Sequence, residues 1–190
     1  MRKIFLPEIL ENRVFGQQRS VLLEKYTNQV TLLTGRLGPL FLVRFHTYAT
    51  VCFMLQEYLW TQRITEAHAI SSALKMYNSL LPDSGALSAT LLLQSTDASN
   101  IRKNLHLLDE IREEKALHID IGTVKIPGEF SDEKTSPVAH LRFSLPKEKL
   151  AESTKSAAEI ILRITHPEYS EQFTFSNDVK NRLLEEIIKE

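Results

Sequence analysis

His46, Thr50 and Glu57 are the residues whose types and spacing could do chemistry. They lie four and then seven positions apart, which on a helix puts all three on one face within about three turns. An imidazole and a carboxylate so placed can orient a ligand, hold a metal weakly or pass a proton. The same pattern describes the solvated strip of a mostly buried helix, and such strips are ordinary. As a solvated strip, His46→Ala or Glu57→Gln would change stability by less than about 0.5 kcal/mol.

The element that must position this stripe is the run from Leu40 to Gln62. Pro39 suits the first turn of a helix, and no Gly or Pro interrupts from there to Trp60. Phe41, Phe45, Tyr48, Val51, Leu55 and Leu59 cover much of the remaining surface, so one long central helix is expected, buried on most sides. Arg44 falls opposite the stripe and needs a carboxylate, a helix end or a route to water. Arg44, His46, Gln56 and Glu57 interrupt the run, which argues against a membrane span.

Other constellations are weaker. Gly35-Arg36-Leu37-Gly38-Pro39 leads into that helix, where Arg36 and free N–H groups could hold an anion. Its glycine spacing fits neither the phosphate-loop nor the dinucleotide pattern, and a tight interhelical turn is the simpler reading. His106, Asp109, Glu110 and Glu113 sit on adjacent helical turns, but there is no Glu-x-x-His pair and the residues read as an exposed charged face. Tyr77 and Asn78 close a third helix, capping its carbonyls or reaching the sheet. His118 with Asp120, and His140 with Arg142, share strand faces, and pairing of those strands would give cross-strand charge pairs. Cys52 sits among apolar residues, where a thiol is inert, and no Gly-x-Ser-x-Gly elbow occurs. No metal ligand set and no cofactor is read from the residues, and whether the protein is an enzyme stays open.

The 190 residues suffice for one sizeable domain over 1–190, helical in 1–85 and sheet-bearing in 86–190. With 23 basic against 24 acidic residues there is no basic excess for nucleic acid. The first residues carry no long apolar run or small-residue cleavage site, so a cytoplasmic protein is expected. Helices are predicted from about Ser20 to Leu33 after a break at Gly16, through the central segment, over Thr65–Leu80, from Ala98 to Glu114, briefly after Pro146, and from Val179 to Lys189. Strands are predicted at Leu87–Ser95, His118–Ile126, Val138–Leu145 and Ala158–Thr165. The expected class is α+β: N-terminal helices, one long and buried, then a four-stranded, mainly antiparallel sheet with flanking helices, covered on one face by the central helix.

Leu37-Gly38-Pro39, Phe45 with Thr50 and Gln56-Glu57, Tyr77-Asn78, Leu87-Ser88-Ala89-Thr90-Leu91, Leu141-Arg142-Phe143 and His166-Pro167-Glu168-Tyr169 stand in an order that resembles an uncharacterised family of bacterial domains of unknown function. Genes of that family neighbour those for rubrerythrin-like proteins and iron–sulfur oxidoreductase subunits. Where its pattern has an acidic residue after the phenylalanine, this chain has His46. The resemblance implies an accessory or binding protein working with redox-system proteins. It adds weight to Thr50 and Glu57 but implies no established activity. The alternative is a small-molecule or metal-binding enzyme centred on His46 and Glu57, with Tyr77 and Asn78 nearby. A homodimer is compatible with either.

Overall fold

The run from Leu40 to Gln62 is not one helix. In the computed structural model, which describes residues 2–94, 99–131, 136–146 and 159–188, it divides into strand β2 (Phe41–Phe45) and helix α2 (Tyr48–Thr61). Phe-Leu-Val-Arg-Phe alternates buried and half-buried residues and is rich in aromatic and branched side chains, as a strand requires. Gly38, at φ 58°, and Pro39 make the turn of a hairpin joining β1 (Thr34–Leu37) to β2. The helix begins only where Thr47 caps it: the Thr47 hydroxyl accepts from the Thr50 N–H, and the Thr50 hydroxyl is the acceptor for the Thr47 N–H. Proline's fixed φ serves a turn as well as a first helical turn, which is why the sequence reads either way.

α1 (Asn12–Leu32) runs unbroken through Gly16, where a break was expected. A Cβ at Gly16 would stand 3.0 Å from the Trp60 indole nitrogen, so the glycine lets α1 lie close against α2. α3 (Ala67–Asn78) packs on α2, and together with Ile4 of the N-terminal arm they enclose Val51, Leu55, Leu59, Ala73 and Leu81.

The α+β class holds, and every strand pair is antiparallel, but the strands form two sheets. One has the order β1-β2-β3-β7-β6, with β3 (Ala86–Leu93), β7 (Val138–Ser144) and the short β6 (Glu129–Phe130). The other has the order β5-β4-β8-β9, built from β4 (Leu117–Ile121), β5 (Val124–Pro127), β8 (Ile160–His166) and β9 (Tyr169–Thr174). The expected single strand over His118–Ile126 is thus a hairpin, turned at Gly122 with φ 60°. The helical first half also supplies two strands, so the division at residue 85 does not separate helix from sheet. The sheets approach along two seams, β1 beside β8 and β9 and β5 beside β7. Side chains from both, with α4 (Ile101–Glu113) and α5 (Asn177–Ile188), form one apolar core. The first residue of the helix expected over Ala98–Glu114 and most of the helix after Pro146 lie outside the described residues. Among the described residues no helix is long and apolar enough to cross a membrane.

Candidate functional site

The expected stripe is dispersed. His46 precedes α2 and is buried at 2% exposure, with its backbone N–H donated to the Ser88 carbonyl at 2.8 Å. Thr50 is buried in the capping box. Glu57 lies on α2 and accepts a forked pair of bonds from Arg19 of α1, at 2.9 Å from Nε and 2.5 Å from Nη2. Arg19 also lies over the Trp60 ring, 4.7 Å from its centroid. The three residues therefore share no helix face, and none of the three is a freely solvated strip residue.

The other predicted residues are equally occupied. Arg36 is exposed on β1 and donates to Gln94 Oε1 at 3.1 Å. The turn beside it is held by the Tyr169 hydroxyl, which donates to the Leu37 carbonyl and accepts from the Leu40 N–H. Asn78 bonds both polar groups of the Ile4 backbone, at 2.8 and 3.0 Å, as a neighbouring strand would. Gln56 does the same to Leu10, at 2.8 and 2.9 Å. Tyr77 packs against the Tyr58 ring. His118 and His140 lie in different sheets, so the cross-strand pairing expected between their strands is replaced: Asp120 accepts from Arg163 at 2.8 Å, and Arg142 pairs with Asp83. His106 pairs with Glu110 at 3.2 Å on the helix surface, and no group of three metal-ligating side chains occurs among the described residues.

What the fold does assemble around His46 is a short polar chain. Register places Arg44, Thr90 and His140 side by side on β2, β3 and β7, on the sheet face away from the apolar core. His46 Nε2 is 2.8 Å from the Thr90 hydroxyl, which is 3.2 Å from His140 Nδ1. Burial, with His140 and Arg44 close by, lowers the His46 pKa to about 4, so its ring is neutral near pH 7. Among the described residues His46 Nδ1 is buried without a partner. A bare lone pair is cheaper to bury than an unsatisfied N–H, so Nε2 carries the proton and donates to Thr90, which donates on to His140. Thr90 was not singled out from sequence. Its alternation with Leu91 marks the face it occupies, but its partners depend on strand pairing.

The residues that follow His46 line a cavity of about 390 Å³. Thr47, Tyr48 and Ala49 form one wall, Arg2 of the arm a second, Gln29 of α1 a third, and Arg182 with Glu185 of α5 a fourth. Arg2 lies over the Tyr48 ring, 3.9 Å from its centroid, and bonds Glu8 at 3.1 Å, while the Tyr48 hydroxyl donates to Glu8 at 2.5 Å. Burial and the bond to Glu8 push the Tyr48 hydroxyl far up, and the bonds from Tyr48, the Phe5 N–H and Arg2 hold Glu8 below the usual carboxylate range. With Leu81 and Pro82 the wall residues come from five parts of the chain, and sequence periodicity carries no signal for that convergence.

A family profile described as Protein of unknown function (DUF3501) matches residues 3–187. The chain belongs to this family. A solved crystal structure, that of a novel protein of unknown function from Burkholderia pseudomallei K96243, is similar with a TM-score of 0.89 at 20% identity, covering 98% of this chain and 100% of that one. At that identity the likeness speaks for the fold alone. No curated protein matches the chain.

Proposed function

We propose that the protein is a cytoplasmic accessory or binding protein whose ligand or partner enters the cleft between the N-terminal arm, the start of α2 and α5. The observation that carries this reading is the convergence of the arm, α1, α2 and α5 on one cavity with both charge signs in its walls. The side chains that sequence spacing offered for chemistry, by contrast, are engaged in caps, clamps and an ion pair. Association with a redox system rests on the family resemblance, and the cytoplasmic placement is proposed together with it.

The test blocks the cleft without touching the core. Ala49 is exposed and lines the cavity, so Ala49→Trp fills it. Wild-type and variant full-length chains are purified by affinity from the native host. A protein or small molecule that accompanies the wild type and is lost from a folded variant supports the reading. Equal recovery with both, or nothing with the wild type, overturns it. Redox enzymes among the recovered proteins would support the association, and their absence would remove it.

A further inference from the structure

Among the described residues, Arg112 carries its guanidinium into the protein without a hydrogen-bond acceptor. The side chain is nine-tenths buried, at 10% exposure, and Nε, Nη1 and Nη2 are all shielded from water and without a hydrogen bond. Asp109 Oδ1 stands 3.7 Å from Nη1, beyond hydrogen-bonding distance. The Phe130 ring centroid is 5.0 Å from Cζ. A cation in the last turn of α4 is favoured by the helix dipole and by the face of Phe130, which explains why the residue is charged. Neither interaction accepts the N–H groups. Arg19 and Arg163, each about a third exposed, donate hydrogen bonds to carboxylates, whereas the more deeply buried Arg112 has its ion-pair oxygen of Asp109 only at 3.7 Å.

Arg112 lines a cavity of about 290 Å³ with Lys115, Pro127, Gly128, Glu129 and Phe130. Lys115, at φ 52° just past α4, brings a second cation to the wall, against the carboxylate of Glu129 there and that of Asp109, ion-paired with Arg112 at 3.7 Å. We propose that this cavity binds a small oxyanion, phosphate or a short carboxylate, through the forked donors of Arg112, with Lys115 adding charge. Binding in this way requires rotation about the last torsions of Arg112, which turns its shielded fork toward the cavity. The planar guanidinium matches either anion in a two-point contact. Its donors have no solvent bonds to give up, so the ion meets groups already stripped of water. The cavity lies at the small end of ligand pockets, which run from about 300 Å³ upward, and so suits an ion rather than a nucleotide. The proposal is independent of the cleft beside α2.

The wild-type chain is titrated calorimetrically and by thermal unfolding with inorganic phosphate and with acetate, each against chloride at equal ionic strength. Saturable binding is expected, with a rise in Tm. In Arg112→Met the affinity falls about tenfold to a hundredfold, and Lys115→Gln weakens it less. A response to phosphate alone identifies a phosphate ligand, and one to acetate alone a carboxylate; both are forms of the proposal. No saturable response in the wild type, or an equal response in Arg112→Met, overturns it. Should that variant fail to fold, the Arg112 Nε–H resonance of the wild type is followed through the same titrations. A saturating shift supports the site, and an unmoved resonance overturns it.

Discussion

Between the two sheets, Phe45 meets Phe143 and Phe175 ring to ring at 5.7 and 5.5 Å, in a core lined by apolar side chains. The helical layer is joined differently. Its apolar cluster is small, and discrete polar contacts secure its parts: Asn78 and Gln56 pin the arm, and Glu57 ties α2 to Arg19 of α1. Burial is non-directional and tolerates many sequences, whereas a side-chain amide bonded to a backbone N–H and C=O specifies one position. The difference explains why so many polar residues of α2 and α3 look functional in sequence. They do the joining that apolar area does elsewhere.

That contrast can be broken by substitution. The largest effect is expected at Phe143, fully buried, where Phe143→Ala should cost about 3–5 kcal/mol in denaturant unfolding. A loss near 1 kcal/mol would show that the sheet core collapses around the gap and is not the dominant support.

His46 belongs to neither apolar cluster, and its effect is read through pH. Its folded pKa is about 4 against an ordinary 6.5, so the unfolded chain takes up the proton first. The contribution of the neutral buried ring is fully present above about pH 6.5 and is lost as pH falls toward 4, by up to about 3 kcal/mol. His46→Gln should flatten the stability profile between pH 7 and pH 4. Parallel profiles for the two proteins would mean that the imidazole is not buried as described.

Gln56→Ala leaves the Leu10 N–H and carbonyl without their partner in a site where Gln56 is 7% exposed. A loss of about 1–3 kcal/mol is expected, with faster hydrogen exchange at Leu10. Unchanged exchange would show that the arm is held by its apolar contacts, as the sheets are. The smallest effect is expected for Glu57→Gln, under about 1 kcal/mol, because both partners of the ion pair are partly solvated and Arg19 keeps its place over Trp60. A loss of several kcal/mol would make that pair the main fastening between α1 and α2.

Much of the fold is legible in the residues because period and punctuation are local. The alternation of Val138–Ser144, the apolar run of Ala86–Leu93 and the stripes of α3 and α4 appear near their predicted places. The misreading at Leu40–Gln62 has a physical source. Phe-Leu-Val-Arg-Phe is short and apolar enough to satisfy either period, and only pairing with β1 and β3 makes it a strand. Once those residues leave the helix, the apparent stripe of His46, Thr50 and Glu57 goes with them.

By itself the sequence determined that the chain is α+β, that it has no basic excess, and that His46, Thr50, Glu57 and Asn78 sit where polar groups need an explanation. Tertiary structure alone decided what each explanation is. Register set Thr90 between two histidines, the arm found Asn78 and Gln56, and chain ends far apart in sequence met at the cleft. Local patterns record which face a residue occupies, but its partner across a strand or helix contact is chosen by the packing of segments dozens of residues away.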